Sequence, residues 1–156
     1  MFLQELFEKV EFIDSTKDEK ISENSAVVYI AGGYVETTAS YNKIKNSSNF
    51  RNSLINHSKT KHIYAECAGL LYLGNKVDEK EMSSILDIDF TLTNKRVRLG
   101  YYYSTNGIKG HAFHYTKPLD TKNGIDILSK SENSKEEFGA WRKNKVYGTY
   151  LHTMFR

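Results

Sequence analysis

Apolar positions change their spacing several times along the chain, and each change predicts an element. Leu3, Leu6, Phe7 and Val10 recur at helical spacing with charges between them, so 2–10 read as an amphipathic helix. Residues 14–25 (DSTKDEKISENS) are polar and charged and form a surface connection. Residues 26–30 (AVVYI) are a nearly continuous apolar run, the pattern of a strand covered on both faces, and Ala31-Gly32-Gly33-Tyr34 ends it in a glycine turn. Over 37–58, Ile44, Phe50, Leu54 and Ile55 mark the buried side of one or two helices. In 62–74 (HIYAECAGLLYLG) a β-prone run stops at Glu66-Cys67. The small residues Ala68 and Gly69 follow, and Leu70, Leu71 and Leu73 continue with helical character. Residues 84–94, 96–105 and 109–116 alternate partially and predict strands, joined by turns at Asn94-Lys95 and Asn106-Gly107, the second a strong hairpin signal. Residues 120–137 are polar and read mostly as loop, and 145–151 (KVYGTYL) as a last strand with His152 at its carboxyl end.

Strand, sharp turn, helix is the layout of a nucleophile elbow, in which the side chain at the apex is held out of the sheet. Cys67 occupies that apex. A lone cysteine is commonly just a small buried hydrophobe; its place at this turn, between small neighbours that let strand and helix approach, sets this one apart. The helix that follows aims backbone N–H groups and a partial positive charge at the sulfur, which favours the thiolate. Strands alternating with helices predict an α/β layer fold with a parallel core, whose sites gather at the carboxyl ends of the strands. The Gly32-Gly33 turn and Cys67 both lie at such ends, so the turn offers an unobstructed backbone N–H beside the sulfur.

Composition narrows the classes. The 156 residues fit one domain, 1–156, with 39% apolar and 26% charged residues. Lys and Arg exceed Asp and Glu by 22 to 19, a net charge of +3 that is too mild to argue for nucleic acid. One cysteine permits no internal disulfide and fits a reducing compartment. No apolar stretch approaches the roughly 20 residues of a membrane span, and Glu5, Glu8 and Glu11 do not fit a signal peptide. A cytoplasmic protein that binds neither nucleic acid nor membrane is the expectation.

A cysteine nucleophile needs a histidine as general base and acid. Of the five histidines, His152 stands best, just after a late apolar run. His57 sits in a polar helix end and is expected to be exposed; His62 opens the elbow strand at the wrong end. His111 and His114 form H-x-x-H, but residues three apart on a strand face opposite sides, so one buried and one exposed histidine are expected, and no metal site.

GGYVE (32–36), YAECAGLLYL (64–73), RLGYYY (98–103), GHAFHYT (110–116) and YGTYLHTMF (147–155), in that order, resemble the glutamine amidotransferase domain of the cobyrinic acid a,c-diamide synthases of cobalamin biosynthesis. These belong to the class I, triad-type amidotransferases. The resemblance covers nearly the whole chain and implies a flavodoxin-like three-layer α/β fold with added strands in the second half. It implies Cys67 as nucleophile, His152 as base, oxyanion donors at the backbone of Gly33 and Ala68, and substrate contacts from Gly32, Tyr34, Glu36, His111 and His114. Val35, Ala68 and Ala112 stand where the family usually has Pro, Gly and Glu. Met154 stands where classical triad members carry Glu; the cobyrinate branch also lacks that Glu, which fits the resemblance, and His152 is left without an evident orienting partner.

The implied reaction is glutamine hydrolysis through a γ-glutamyl thioester, with the ammonia passed to an ATP-dependent ligase. The family's ATP-binding synthetase domain has no counterpart in this sequence, which contains no G-x-x-x-x-G-K-[ST] stretch. The domain itself is expected to need no cofactor; ATP and Mg belong to a synthetase domain or subunit, and a corrinoid is the implied acceptor. Two other readings stand beside this one: another cysteine hydrolase on the same fold, and a degenerate amidotransferase domain that only binds a partner.

Overall fold

The computed structural model describes residues 2–120, 122–130 and 137–153. In chain order it contains α1 (Phe2–Leu6), β1 (Val27–Ile30), α2 (Thr38–Ile44), α3 (Ser48–Ser58), β2 (His62–Glu66) and α4 (Ala68–Leu73). Ten strands follow: β3 (Lys76–Val77), β4 (Lys80–Glu81), β5 (Asp89–Leu92), β6 (Arg98–Tyr103), β7 (Lys109–His114), β8 (Thr116–Pro118), β9 (Gly124–Leu128), β10 (Glu137–Lys143), β11 (Val146–Thr149) and β12 (His152–Thr153). The helix-rich first half and the strand-rich second half match the expected α/β fold with added strands.

The central sheet runs β1-β2-β11-β10-β9. β1, β2 and β11 are parallel, with Tyr29 opposite Tyr64 and Tyr64 opposite Tyr147; β10 and β9 continue antiparallel. A parallel core of this kind needs long crossovers between neighbours, and α2 with α3 supplies the one from β1 to β2. One face of the core carries Ile63, Ala65 and Val146, all buried, and Leu70 of α4 packs over Gly148. Phe50 of α3 meets the ring of Tyr72. The opposite face carries a ladder of stacked rings, Tyr29 on Tyr64 at 5.9 Å and Tyr64 on Tyr147 at 5.6 Å. Two smaller sheets, β12-β7-β6 and β4-β3-β5-β8, complete the fold.

Several expectations are corrected. The N-terminal helix stops at Leu6, and Leu6 and Phe7 are exposed, so its apolar stripe finds little to cover it. β1 is the edge of the sheet, with Val27 and Tyr29 over a third exposed, rather than a strand covered on both faces. The 37–58 stretch forms two helices, with Ile55 only half-buried. In 84–94 only Asp89–Leu92 is strand. The apolar residues before it form a plug against the end of α4, where the Ile85 and Leu86 N–H groups donate to the Leu73 carbonyl at 3.0 and 2.8 Å. These bonds satisfy a carbonyl that a helix end leaves open. The Asn94-Lys95 turn makes no hairpin, because β5 pairs with β3 and β8; the Asn106-Gly107 turn does, joining β6 to β7. The polar 120–137 stretch contains β9, and β10 was not anticipated; 131–136 lie outside the described residues. The last strand ends at Thr149, and the chain then leaves the central sheet to pair as β12 with β7.

Candidate active site

β2 ends at Glu66 and α4 begins at Ala68, so Cys67 alone makes the turn between them. Its backbone sits at φ 50°, ψ −110°, a conformation that costs a side-chain-bearing residue on the order of 1–3 kcal/mol. The turn is held from both ends: the Cys67 N–H donates to the Thr149 carbonyl of β11 at 2.8 Å, and the Leu71 N–H donates to the Cys67 carbonyl at 3.2 Å. Gly69 lets α4 close onto β1, since a Cβ there would lie 2.7 Å from the Ile30 carbonyl oxygen. The elbow read from the sequence is therefore present, with the strain that the layout demands.

The glycine turn after β1 touches both sides of this elbow. A Cβ on Gly33 would stand 4.0 Å from the Ala68 Cβ. A Cβ on Gly32 would fall 2.1 Å from His152 Cε1 and 3.1 Å from each ring nitrogen, so the imidazole occupies the space a side chain there would need. His152 reaches this place because β12 pairs with β7, placing His152 opposite His111. The Cys67 thiol points toward β7, where Phe113 presents its carbonyl 3.9 Å from Sγ. Cys67, the Gly32-Gly33 turn, Ala68, His111 and His152 thus gather at the carboxyl ends of β1, β2 and β11.

The electrostatics of the elbow differ from expectation. Burial pushes the Cys67 thiol up to about 11; the nearby Glu36 and, less, Glu66 add to this, while the Ala68 N–H offsets part of it. Six residues of helix do not outweigh desolvation and two carboxylates. Both effects favour the protonated thiol over the thiolate. Glu36 follows the glycine turn and is itself perturbed: burial raises its carboxyl, and the hydrogen bond from its own N–H and the charge of Lys80 only partly counter it. Its buried Oε2 has no hydrogen-bond partner among the described residues. Tyr34, by contrast, is largely exposed.

The remaining histidines separate. His57 is buried rather than exposed, and its Nε2–H donates to the His62 carbonyl at 3.2 Å. His114 is buried, as the strand spacing predicts, and His111 is half-buried where an exposed residue was expected. The His114 ring stacks on Tyr150 at 3.7 Å, its Nδ1–H donates to the Thr116 carbonyl at 2.8 Å, and its Nε2 accepts from Arg98 at 3.3 Å. Both nitrogens are engaged in the core, so the expected substrate contact from His114 is corrected: the ring has no atom to offer. His111 stays beside the site, its ring edge-on to Tyr101.

Glu66 is the residue that sequence reasoning passed over. Its side chain is buried, and His152 Nδ1 lies 3.8 Å from Oε2. The signal was the Glu inside an otherwise apolar strand end, one residue before Cys67. Met154, where other triad members carry their Glu, lies outside the described residues. Among the described residues, no three His, Cys, Asp or Glu side chains gather as a metal site would require.

The chain resembles known proteins over nearly its whole length. It is 30% identical over 159 residues to cobyrinate a,c-diamide synthase of Listeria monocytogenes, covering 90% of this chain and 35% of that protein. It is 29% identical over 171 residues to the enzyme of the same name from Fusobacterium nucleatum, covering 99% and 37%. The chain thus spans about a third of the length of these relatives. Among solved structures, a glutamine amidotransferase from Thermotoga maritima superimposes with a TM-score of 0.63 at 14% identity, over 97% of this chain and 69% of that one, so the two share a fold. The profile of the CobB/CobQ-like glutamine amidotransferase domain matches residues 2–156, and the chain belongs to that family.

Proposed function

We propose that this domain hydrolyses glutamine and supplies ammonia to an ATP-dependent amidoligase of the cobyrinate a,c-diamide synthase type. The observation that carries the reading is the strained Cys67 apex, with the Gly32-Gly33 turn in contact with both Ala68 and the ring of His152. In this reading His152 takes the thiol proton as Sγ attacks the side-chain amide carbon of glutamine. The tetrahedral oxyanion is received by backbone N–H groups of Gly33 and Ala68, each donor worth about 3 kcal/mol of barrier. The C–N bond then breaks, His152 returns the proton to the leaving ammonia, and a γ-glutamyl thioester remains. Water attacks the thioester, gives its proton to His152, and glutamate and the thiol are released.

Substrate recognition falls to the glycine turn and its neighbours. Gly32 and Gly33 leave room for the amide, Glu36 offers its unpartnered oxygen to the α-ammonium group of glutamine, and Tyr34 and His111 border the opening. Binding an ammonium at Glu36 neutralises the carboxylate that most raises the Cys67 thiol, so the substrate itself favours the nucleophilic form. ATP and Mg act on the synthetase partner, where a carboxylate of a corrinoid acceptor is activated. Because the thiol is held high in the resting site, the isolated domain turns over slowly, and a synthetase partner that orders the site raises the rate.

The test is glutaminase activity of the wild type, alone and with a cognate synthetase domain, against Cys67→Ser. Cys67→Ser is expected to remove turnover and labelling by a glutamine-like electrophile while keeping the melting temperature. Undiminished hydrolysis in Cys67→Ser overturns the reading. Hydrolysis of a simple ester but never of glutamine would assign the elbow to another cysteine hydrolase.

A further inference from the structure

The base in this site has a partner that the sequence pattern does not announce. Glu66 ends β2, immediately before the nucleophile, and its side chain is 4% exposed. Such a carboxylate is retained only where donors replace the water it has lost. Its hydrogen bonds come from three donors. The Tyr29 hydroxyl donates to Oε2 at 2.8 Å, the Tyr64 hydroxyl to Oε1 at 3.1 Å, and the Thr153 N–H to Oε1 at 2.9 Å. The Thr153 hydroxyl is also 2.5 Å from that of Tyr64. All three groups act as donors to Glu66, so the carboxylate is fixed as an acceptor, with Tyr29 and Tyr64 kept protonated by burial and by the charge itself.

Two consequences follow from where these donors sit. Tyr29 and Tyr64 belong to adjacent parallel strands and stack on one another, so the oxygen positions are set by the sheet. Thr153 is the residue after His152, so the same carboxylate holds the backbone that carries the base. His152 Nδ1 then lies 3.8 Å from Oε2, while Gly32 confines the ring at Cε1, between its two nitrogens. We infer that Glu66 is the positioning residue of His152: it selects the Nδ1–H tautomer, leaves Nε2 as the basic nitrogen, and stabilises the imidazolium formed when the ring takes the Cys67 proton. A carboxylate facing the distal nitrogen of a catalytic histidine does this in hydrolytic triads. Here it comes from the residue beside the nucleophile rather than from a position after the histidine. The inference rests on the proposed Cys67–His152 chemistry.

The experiment is a double-mutant cycle on the whole domain, reading the rate of iodoacetamide alkylation of Cys67 at neutral pH, a reaction that needs no glutamine and no partner. The proteins are the wild type, Glu66→Gln, His152→Ala and the pair. His152→Ala is expected to slow alkylation by about tenfold or more, because the thiol loses its proton acceptor. Glu66→Gln, which keeps the shape and the acceptor for Thr153, should slow it several-fold in the His152 background but not in the His152→Ala background, where losing a charge that raises the thiol can only speed it; that non-additivity is expected of residues acting as one unit. Equal slowing in both backgrounds makes Glu66 merely structural and overturns the inference. So does a wild-type or faster rate in Glu66→Gln. If His152→Ala does not slow alkylation at all, the dyad itself is wrong, an outcome distinguishable from a failure of Glu66 alone. Should Glu66→Gln not fold, the tautomer of His152 in the wild-type protein, read from its imidazole nitrogen chemical shifts at high pH, decides: Nδ1–H supports the inference, and a dominant Nε2–H form overturns it.

Discussion

Gly32→Ala tests the site without touching a residue that carries chemistry. The added methyl carbon would lie 2.1 Å from His152 Cε1. Carbon atoms pack at roughly 3.5–4.0 Å, so the ring must retreat by about 1.4–1.9 Å. It is free to do so: the His152 side chain is 41% exposed, and a rotation away from a preferred rotamer costs on the order of 0.5–1.5 kcal/mol. For a chain of this size that is a fall in melting temperature of a few degrees, about 2–4 °C per kcal/mol. Catalysis is far less tolerant. A displacement of about 1 Å at a catalytic group costs about a hundredfold, and complete loss of a general base about 10²–10⁴-fold. The expected result is a kcat for glutamine at least about a hundredfold lower, with KM little changed. The assay is glutamate release in the presence of the synthetase partner, beside a thermal melt. Gly33→Ala is a control for the melt alone, because its methyl would meet Ala68 at an ordinary 4.0 Å. A Gly32→Ala enzyme with wild-type kcat, or one whose loss of activity follows global unfolding, would refute the placement of His152 against the glycine turn.

Two further outcomes follow from the charges. Glu36→Gln removes the carboxylate that most raises the Cys67 thiol, so the thiol should titrate at lower pH and alkylate faster near neutrality, while KM for glutamine rises; a thiol titration unchanged from wild type would count against Glu36 as its neighbour. Burial, with Arg98 adding to it, holds His114 down to about 3 against 6.5 when unfolded. Between these values the unfolded chain binds a proton that the folded one does not, so stability should fall as pH drops from about 6.5 toward 3, by an upper bound of about 4–5 kcal/mol. Urea melts across that range should show a shallower slope for His114→Gln than for the wild type, and identical slopes would exclude His114 as the source.

The first half of the chain was legible because its signals are local. The elbow in 62–74 is a change of period around two small residues, and the glycine turn follows an apolar run. What escaped depends on pairing at a distance. β9 and β10 are stabilised by each other and by β11, although the stretch that holds β9 is polar in sequence. Residues 85–88 are as apolar as a strand, yet they close the end of α4. His57 lies in a polar helix but is covered where α3 meets the start of β2. Glu66 was visible as a letter beside Cys67; its place under His152 depends on a chain reversal after Thr149 that no spacing records. The thiol was misjudged in the same way, since the helix start is local and the burial and Glu36 are not.

That reversal ties the site to the core. Between Thr149, whose carbonyl holds the nucleophile's turn, and His152 lie only Tyr150 and Leu151, and both are fully enclosed in the core. Tyr150 touches Phe90, Trp141 and the His114 ring, and its hydroxyl meets Thr116 at 3.2 Å. The residues that specify the interior therefore also fix the span between Cys67 and His152. Repacking at Phe90, Trp141 or Tyr150 therefore bears on where His152 stands relative to Cys67 as well as on the fold. Interior positions outside the site thereby share in setting its geometry.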